Sequence, residues 1–315
     1  MDILFISPTF SGAGGIGPHA YRVAEKLREN GFNVELMNVP HIPIKNLKNL
    51  SFSMFGTLKA LSNKKKYDVV HAWNLPSAFI MKKINARKKI LSIHGVYSQQ
   101  IGMLHSKITT KLVSTNEEKV LAWADVLTTD SLTVQSEYKK LGKSFLYIPA
   151  PLDSKKFEKV SINVEKKNQI VYVGRDSYEK GIDILRKIEP KLSIPIKYCT
   201  DMEWVDAMKT LKESQILVVP SRIESIPQVI KEAFYLKTPV IATDVGGNHE
   251  LITHNVTGIL IDSENPDQML NAINDLISDN KTKNKLTENA FQFINKNFSW
   301  DILMKKYIHL YESEV

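Results

Sequence analysis

A chain of 315 residues, 43% hydrophobic and 24% charged, has the make-up of an ordinary globular protein and the length for two domains. Its single cysteine, Cys199, excludes an intramolecular disulfide and fits a reducing compartment, and no apolar run reaches the ~20 residues of a membrane-spanning helix. The net charge of +8 is unevenly spread. Residues 1–150 hold 20 Lys and Arg against 10 Asp and Glu, the remainder 22 against 24. The first half is therefore suited to an anionic partner (a membrane surface, a phospholipid or an acidic glycan), or is kept soluble by lysine-rich helix faces. No nucleic-acid-binding motif is present, and no nucleic-acid partner is expected.

In chain order, the opening MDILFISPTF has no basic region or cleavage site and reads as a first strand, Asp2–Ser7, rather than a signal peptide. A glycine-rich turn containing Gly14, Gly15 and Ile16 leads into a helix over His19–Asn30, with Tyr21, Ala24 and Leu27 on its apolar face and Gly31 ending it. A strand over Asn33–Asn38 completes a β-α-β unit. The glycine spacing is not G-x-G-x-x-G, and Asn38-Val39-Pro40 offers no acid to a ribose, so a dinucleotide site is not expected. Leu47–Leu61 mixes apolar residues with lysines and runs into Lys64-Lys65-Lys66; it is either a core helix with a solvated loop, the reading preferred, or an amphipathic segment for an anionic membrane. Tyr67–His71 reads as a strand, Ile80–Lys89 as a basic helix, and Lys89–Ile93 as a strand ending at His94-Gly95. A helix over Ile108–Leu121, a strand over Ala122–Thr129, a helix over Val134–Leu141 after Ser131, and a strand over Phe145–Ile148 close the first half at a stiff Pro149-Ala150-Pro151 linker.

In the second half, the strand ending at Val173-Gly174 is followed by Arg175 and by Lys180-Gly181 before a helix. A guanidinium fork, a point charge and free helix amides make a seat for a diphosphate. A strand (Pro195–Thr200), a helix (Glu203–Glu213) and a strand (Gln215–Val219) lead to Leu217–Asp262, the stretch around which the rest is organised. Glu224 sits in the loop after that strand and Glu232 about two turns into the next helix. At ~1.5 Å per residue the two are about 12 Å apart, which suits two ends of one extended polar ligand and equally a surface pair on an amphipathic helix. The amides near Ser225 and Ile226 are expected at that helix's N-terminus, with Val229 just inside it. A second strand ends at Asp244, before Gly246-Gly247. Ile259–Ile261, helices over Pro266–Ser278 and Thr282–Asn295, and a last helix capped by Ser299 complete the chain.

Pro220-Ser221, Glu224, Glu232-Ala233, Pro239-Val240-Ile241-Ala242, Gly246-Gly247, Glu250-Leu251-Ile252 and Gly258, in that order, resemble the E-x7-E region of family 4 retaining glycosyltransferases. The likeness runs over essentially the whole chain. It implies an α/β protein of the GT-B fold, two Rossmann-like domains facing across a cleft: residues 1–151 on the acceptor side, 152–298 binding the nucleotide sugar, and 299–315 a helix packing back on the first domain. The implied reaction moves a sugar, with retention, from a nucleotide-sugar donor to a hydroxyl of a glycan or lipid-linked acceptor. Arg175 and Lys180 would stabilise the leaving diphosphate, Glu224 would hold the donor sugar, and His94 would lie near its reactive side. Gly14, Gly15, Ile16, Gly174, Ser225, Ile226, Val229, Gly246 and Gly247 would bind the donor, and Glu232 would accept hydrogen bonds from its ribose. No Asp-x-Asp motif is present, so neither metal nor cofactor is expected; the expected location is cytoplasmic, either free or peripheral to the inner face of the cell membrane.

The chain departs from that pattern in two places. Only 40 residues separate Gly181 from Ser221, where relatives carry a further strand-helix unit that holds the nucleobase; Trp204 is offered instead as a stacking face. Pro149-Ala150-Pro151-Leu152-Asp153 lacks the Asn-Gly that relatives have there. A non-catalytic nucleotide-sugar-binding protein and a GT-B sugar-nucleotide epimerase stay open as alternatives, and a nicotinamide oxidoreductase is the weakest.

Overall fold

The computed structural model describes residues 1–11, 15–40, 42, 44, 47–95, 117–160 and 164–314; Gly14 and most of the helix expected over residues 108–121 lie outside them. The chain divides into two compact units, Met1–Ala150 with Met304–Val315, and Pro151–Leu303.

The first unit is built on a parallel sheet in the order β2-β1-β3-β4-β5-β6, with strands β1 (Asp2–Ile6), β2 (Asn33–Met37), β3 (Lys66–Ala72), β4 (Asn85–Ser92), β5 (Val126–Thr129) and β6 (Leu146–Tyr147). Ile3, Phe5 and Ile6 are fully buried, as a strand covered on both faces requires. Helix α1 (Ile16–Glu29) buries Ala20, Val23, Ala24 and Leu27 on one face. Helices α2 (Lys48–Ser62), α3 (Leu75–Met81) and α4 (Leu132–Lys140) follow. The Ser131 hydroxyl caps α4 by accepting from the Val134 amide at 3.2 Å.

One expectation fails here and another holds only in part. The basic helix over Ile80–Lys89 does not form, because Asn74 caps a helix that starts earlier, accepting from the Ser77 amide with Pro76 in the first turn. Arg87, Lys88 and Lys89 lie instead in β4. Helix α2 packs Phe52 and Ala60 into the first unit's core, as a core helix should, but Leu50, Met54, Leu58 and Leu61 stand in solvent, so only one of its apolar faces is covered.

The second unit carries a parallel sheet in the order β11-β10-β9-β7-β8, with β7 (Ile170–Val173), β8 (Ile196–Cys199), β9 (Ile216–Val219), β10 (Val240–Thr243) and β11 (Ile259–Ile261). Alternate strand residues feed two cores. Val171, Leu217, Val219, Val240 and Ala242 pack with helices α6 (Trp204–Glu213), α7 (Gln228–Tyr235) and α10 (Asn280–Phe298). Ile170, Tyr172, Ile216, Val218 and Ile241 pack with α5 (Ile182–Ile188) and α9 (Pro266–Ser278). The short helix α8 (Asn248–Leu251) follows β10, and the last helix, α11 (Trp300–Glu312), contains the boundary between units at Leu303–Met304.

The first unit's share of α11 is anchored by buried polar groups. Lys88 Nζ donates to Leu310 O (2.7 Å), Ser313 O (2.8 Å) and Ser313 Oγ (2.9 Å), so a strand lysine satisfies carbonyls at the helix C-terminus. Tyr311 Oη lies 2.6 Å from His71 Nδ1, His71 Nε2 lies 2.6 Å from Ser92 Oγ, and Ser92 Oγ lies 2.6 Å from Thr128 Oγ1. Burial, reinforced by His94 and His19, holds the His71 imidazole well below its ordinary pKa.

Candidate active site

Each sheet reverses its strand order once. The reversal falls between β1 and β3 in the first unit and between β7 and β9 in the second. Open α/β sheets offer a crevice at this point, beyond the carboxyl ends of the strands. Lys180 and Glu224 lie in the loops after β7 and β9, and Gly15 lies in the loop after β1.

In the second unit, the loops after β7 and β9 meet. Lys180 ends a single 3-10 turn (Tyr178–Lys180), and its Nζ lies 2.6 Å from Glu224 Oε1. The Ser221 hydroxyl donates to the same oxygen at 2.8 Å. The Glu224 side chain is only 8% exposed, so this carboxylate is held in a shielded place by a cation and a hydroxyl. The two loops are pressed together. A Cβ on Gly181, at φ +67°, would lie 2.0 Å from Pro220 O, and the Arg222 amide donates to Glu179 O at 2.9 Å. The Arg222 guanidinium reaches Asp183 in a bidentate pair (2.7 and 2.9 Å), pairs with Glu264, and stacks 3.9 Å from the centre of the Tyr178 ring.

The loop after β10 supports the same place from below. A Cβ on Gly246 (φ +51°) would fall 1.8 Å from Glu224 O, and one on Gly247 1.7 Å from Ser225 O. These glycines let the backbone of one loop touch that of the other; their close approach is to Glu224 and Ser225 themselves.

Arg175 stands apart from the cluster. Its guanidinium is 73% exposed and lies 3.1 Å from Glu179 Oε1. The Tyr172 hydroxyl donates to Arg175 O at 2.7 Å and fixes that turn; burial pushes this phenol well up. A Cβ on Gly174 would be 3.0 Å from the same hydroxyl.

Helix α7 begins at Gln228, with Pro227 as its N-cap. Ser225 and Ile226 are therefore in the loop and not at a helix N-terminus, because a residue before proline is driven out of the helical region. Glu232 consequently sits one turn into the helix rather than two. The Trp204 indole N–H donates to Glu232 Oε1 at 2.8 Å. Burial raises the Glu232 carboxyl above its usual range, opposed by that hydrogen bond and by Lys156 and Lys231. Trp204 thus spends its polar edge on Glu232, and Phe157 packs edge-on against it at 5.1 Å. Val229 is half-buried against the core.

In the first unit, His94 follows β4. Its Nδ1 lies 3.1 Å from Asp130 Oδ2, both side chains being 13% exposed. His94 Nε2 and the Trp73 indole N–H are buried with no hydrogen-bond partner among the described residues, and the two rings stand nearly parallel, 6.4 Å apart at 11°. Buried polar atoms left this way are uncommon and fit a polar ligand. Gly15, at φ +88°, is the exposed N-cap of α1, with Ile16 as the first helical residue. His19, just inside that helix, is bonded to Tyr307 Oη at 2.9 Å.

Three participants were not read from the sequence. Asp130 directly precedes Ser131, and its place at the end of β5 was the available signal. Ser221 lies inside the quoted motif. Arg222 gives no signal in a single sequence, since its partners come from two distant segments, residues 178–183 and Glu264. Among the described residues, no group of three or more His, Cys, Asp or Glu is placed to hold a metal ion, and no helix is long and apolar enough to cross a membrane.

Residues 192–293 match the family model described as "Glycosyl transferases group 1", a span that includes Ser221, Glu224, Glu232, Gly246 and Gly247. An uncharacterized glycosyltransferase of Methanocaldococcus jannaschii is 24% identical over 95% of this chain and 94% of its own length. The sucrose-phosphate synthase of Thermosynechococcus elongatus has a structure similar at a TM-score of 0.79, with 17% identity and 98% of each chain covered. Anabaena HepE, solved in complex with UDP and glucose, is similar at 0.73, with 17% identity over 98% of this chain and 99% of that one. The two parallel-sheet Rossmann-like units have the GT-B fold, and the match of residues 192–293 to the group 1 model, together with relatives named glycosyltransferases, makes this chain a transferase.

Proposed function

We propose that the enzyme is a family 4-type, retaining transferase that moves a sugar from a nucleotide-sugar donor to a hydroxyl of a glycan or lipid-linked acceptor, without metal or cofactor, at the cytoplasmic face of a membrane. The observation that carries this reading is the shielded Lys180–Glu224–Ser221 cluster at the second sheet's strand reversal. In it, a cation and a carboxylate lie within reach of one ligand.

The bond between the anomeric carbon and the diphosphate oxygen breaks with its electron pair going to the diphosphate, while the acceptor hydroxyl oxygen bonds to the anomeric carbon on the same face and its proton passes to the departing diphosphate oxygen. Lys180 turns from Glu224 to that growing charge, and the exposed Arg175 fork closes on it. Glu224, released from the lysine, accepts hydrogen bonds from sugar hydroxyls. Glu232 keeps the Trp204 indole on one oxygen and offers the other to the ribose. In the first unit, Gly15 and Ile16 present amides at the start of α1. His94 Nε2, with Nδ1 held by Asp130, binds near the reacting hydroxyl. The likeness to HepE, whose structure holds UDP and glucose, supports testing uridine donors first.

The test is transfer from UDP-, GDP- and ADP-sugars to simple glycan and lipid-linked acceptors in excess EDTA, with the anomeric configuration of the product read by NMR. The expected result is a product with the donor's configuration, formed at the same rate with or without EDTA. An inverted product, or activity abolished by EDTA and restored by a divalent ion, contradicts the proposal.

A further inference from the structure

Helix α2 carries an apolar face that the fold leaves in solvent. Its inner side is fixed by Phe52, Gly56 and Ala60, and a Cβ on Gly56 would meet Ile80 Cδ1 at 2.1 Å, so the helix cannot roll to hide its outer side. On that outer side Leu47, Leu50, Met54, Leu58 and Leu61 follow one another at intervals of three or four, the spacing of one helix face. They are 42%, 67%, 52%, 62% and 63% exposed, and Ile44 just before them is 57% exposed. Single exposed leucines need no explanation, whereas a row of five marks an interaction surface.

Charge narrows the partner. Residues 40–67 contain six lysines and no Asp or Glu. Lys59, Lys64 and Lys66 are exposed, while Lys65 pairs with Glu35 and Asp2. The stripe has no Trp, Tyr or Arg, the usual anchors of protein interfaces, and is followed by lysines, which such interfaces exclude. A second copy would bring the same lysines face to face. A flat, fluid, anionic layer meets both features without a matching shape. We infer that α2 is a membrane-docking helix, with its Leu and Met row at the acyl boundary of an anionic bilayer and its lysines at the phosphates. This surface would hold the enzyme on a membrane whatever sugar it transfers.

The experiment is co-sedimentation of the full chain with vesicles of phosphatidylcholine alone, and of phosphatidylcholine with about one-third phosphatidylglycerol. Wild type is compared with Leu50→Gln/Leu58→Gln/Leu61→Gln and with Lys59→Gln/Lys64→Gln/Lys66→Gln. All six side chains are exposed, so thermal unfolding should be unchanged. The expected result is binding to the anionic vesicles only, weakened by salt and lowered roughly tenfold or more in either triple variant. Leu58→Trp should strengthen it. Absence of binding overturns the inference, as does binding undiminished in the leucine variant. A concentration-dependent dimer that the leucine variant abolishes, without vesicle binding, also overturns it and gives the face to a second copy.

Discussion

The two sheet edges of this protein are built alike and furnished differently. Both sheets are parallel and reverse order once, and both collect loops beyond the strand carboxyl ends at the reversal. In the second unit that edge is ionic, with Lys180, Glu224 and Ser221 in one cluster and Arg175, Glu179, Arg222 and Asp183 around it. In the first it is imidazole and aromatic, with His19, His71, Trp73 and His94 beside one another and Asp130 as the carboxylate on His94. The same topology therefore carries one ionic edge and one imidazole and aromatic edge, which the proposed function gives to a diphosphate and to hydroxyls, and the difference lies in a handful of loop side chains.

Substitutions should separate the two edges. The largest effect is expected at Glu224. Glu224→Ala removes the carboxylate that pairs with Lys180 and that the proposed function places on the donor, and kcat should fall about 10²–10³-fold, the usual loss for a positioned electrostatic group. A variant within threefold of wild type would remove Glu224 from the site. Gly246→Ala should act on the same cluster from outside it. Its Cβ meets Glu224 O and its φ is unfavourable, so about 2 kcal/mol or more of stability should be lost along with most donor affinity; both are readable by denaturation and calorimetry.

At the first unit's edge the expected change is in stability. His71→Ala empties a fully buried site and breaks two hydrogen bonds, costing about 3 kcal/mol. The pH dependence has a definite sign. Folded His71 has its pKa depressed, so both states are neutral above the unfolded value near 6.5. As pH falls below that value only the unfolded chain takes the proton, and stability declines. Wild type should lose stability on acidification from about pH 7 to 5, and His71→Ala should lose less over the same range. An equal loss in both would move the acid sensitivity elsewhere.

The smallest structural effect is expected at Arg175. Its guanidinium is exposed, and the ion pair with Glu179 is at the surface, so Arg175→Ala should leave the unfolding transition within about 0.5 kcal/mol of wild type. Donor affinity should still drop roughly tenfold if, as proposed, the fork closes on the diphosphate.

Much of this was readable beforehand, for identifiable reasons. Strands such as β1, β7, β9 and β10 are short apolar runs bounded by turn residues, and the motif that spans Ser221 to Gly258 fixes the order of the loops. Helix α2 was read only in part because its apolar residues occur on two faces, and composition does not say which face is covered. The start of α7 was misplaced because the proline at position 227, not the apolar periodicity, sets it. Long-range pairs such as Lys88 with the end of α11, Trp204 with Glu232 and Arg222 with Asp183 left no local trace, since each joins segments far apart in the chain.

The most direct test of the central claim, that the ionic edge of the second unit is the donor site, is calorimetric binding of UDP, GDP, ADP and their common sugar conjugates in the absence of metal, to wild type, Lys180→Ala and Glu232→Ala. The account predicts that one nucleotide family binds wild type, that Lys180→Ala weakens the diphosphates, and that Glu232→Ala weakens every ligand carrying that ribose. Binding unchanged in both variants, or no binding of any nucleotide to a folded wild type, would contradict it.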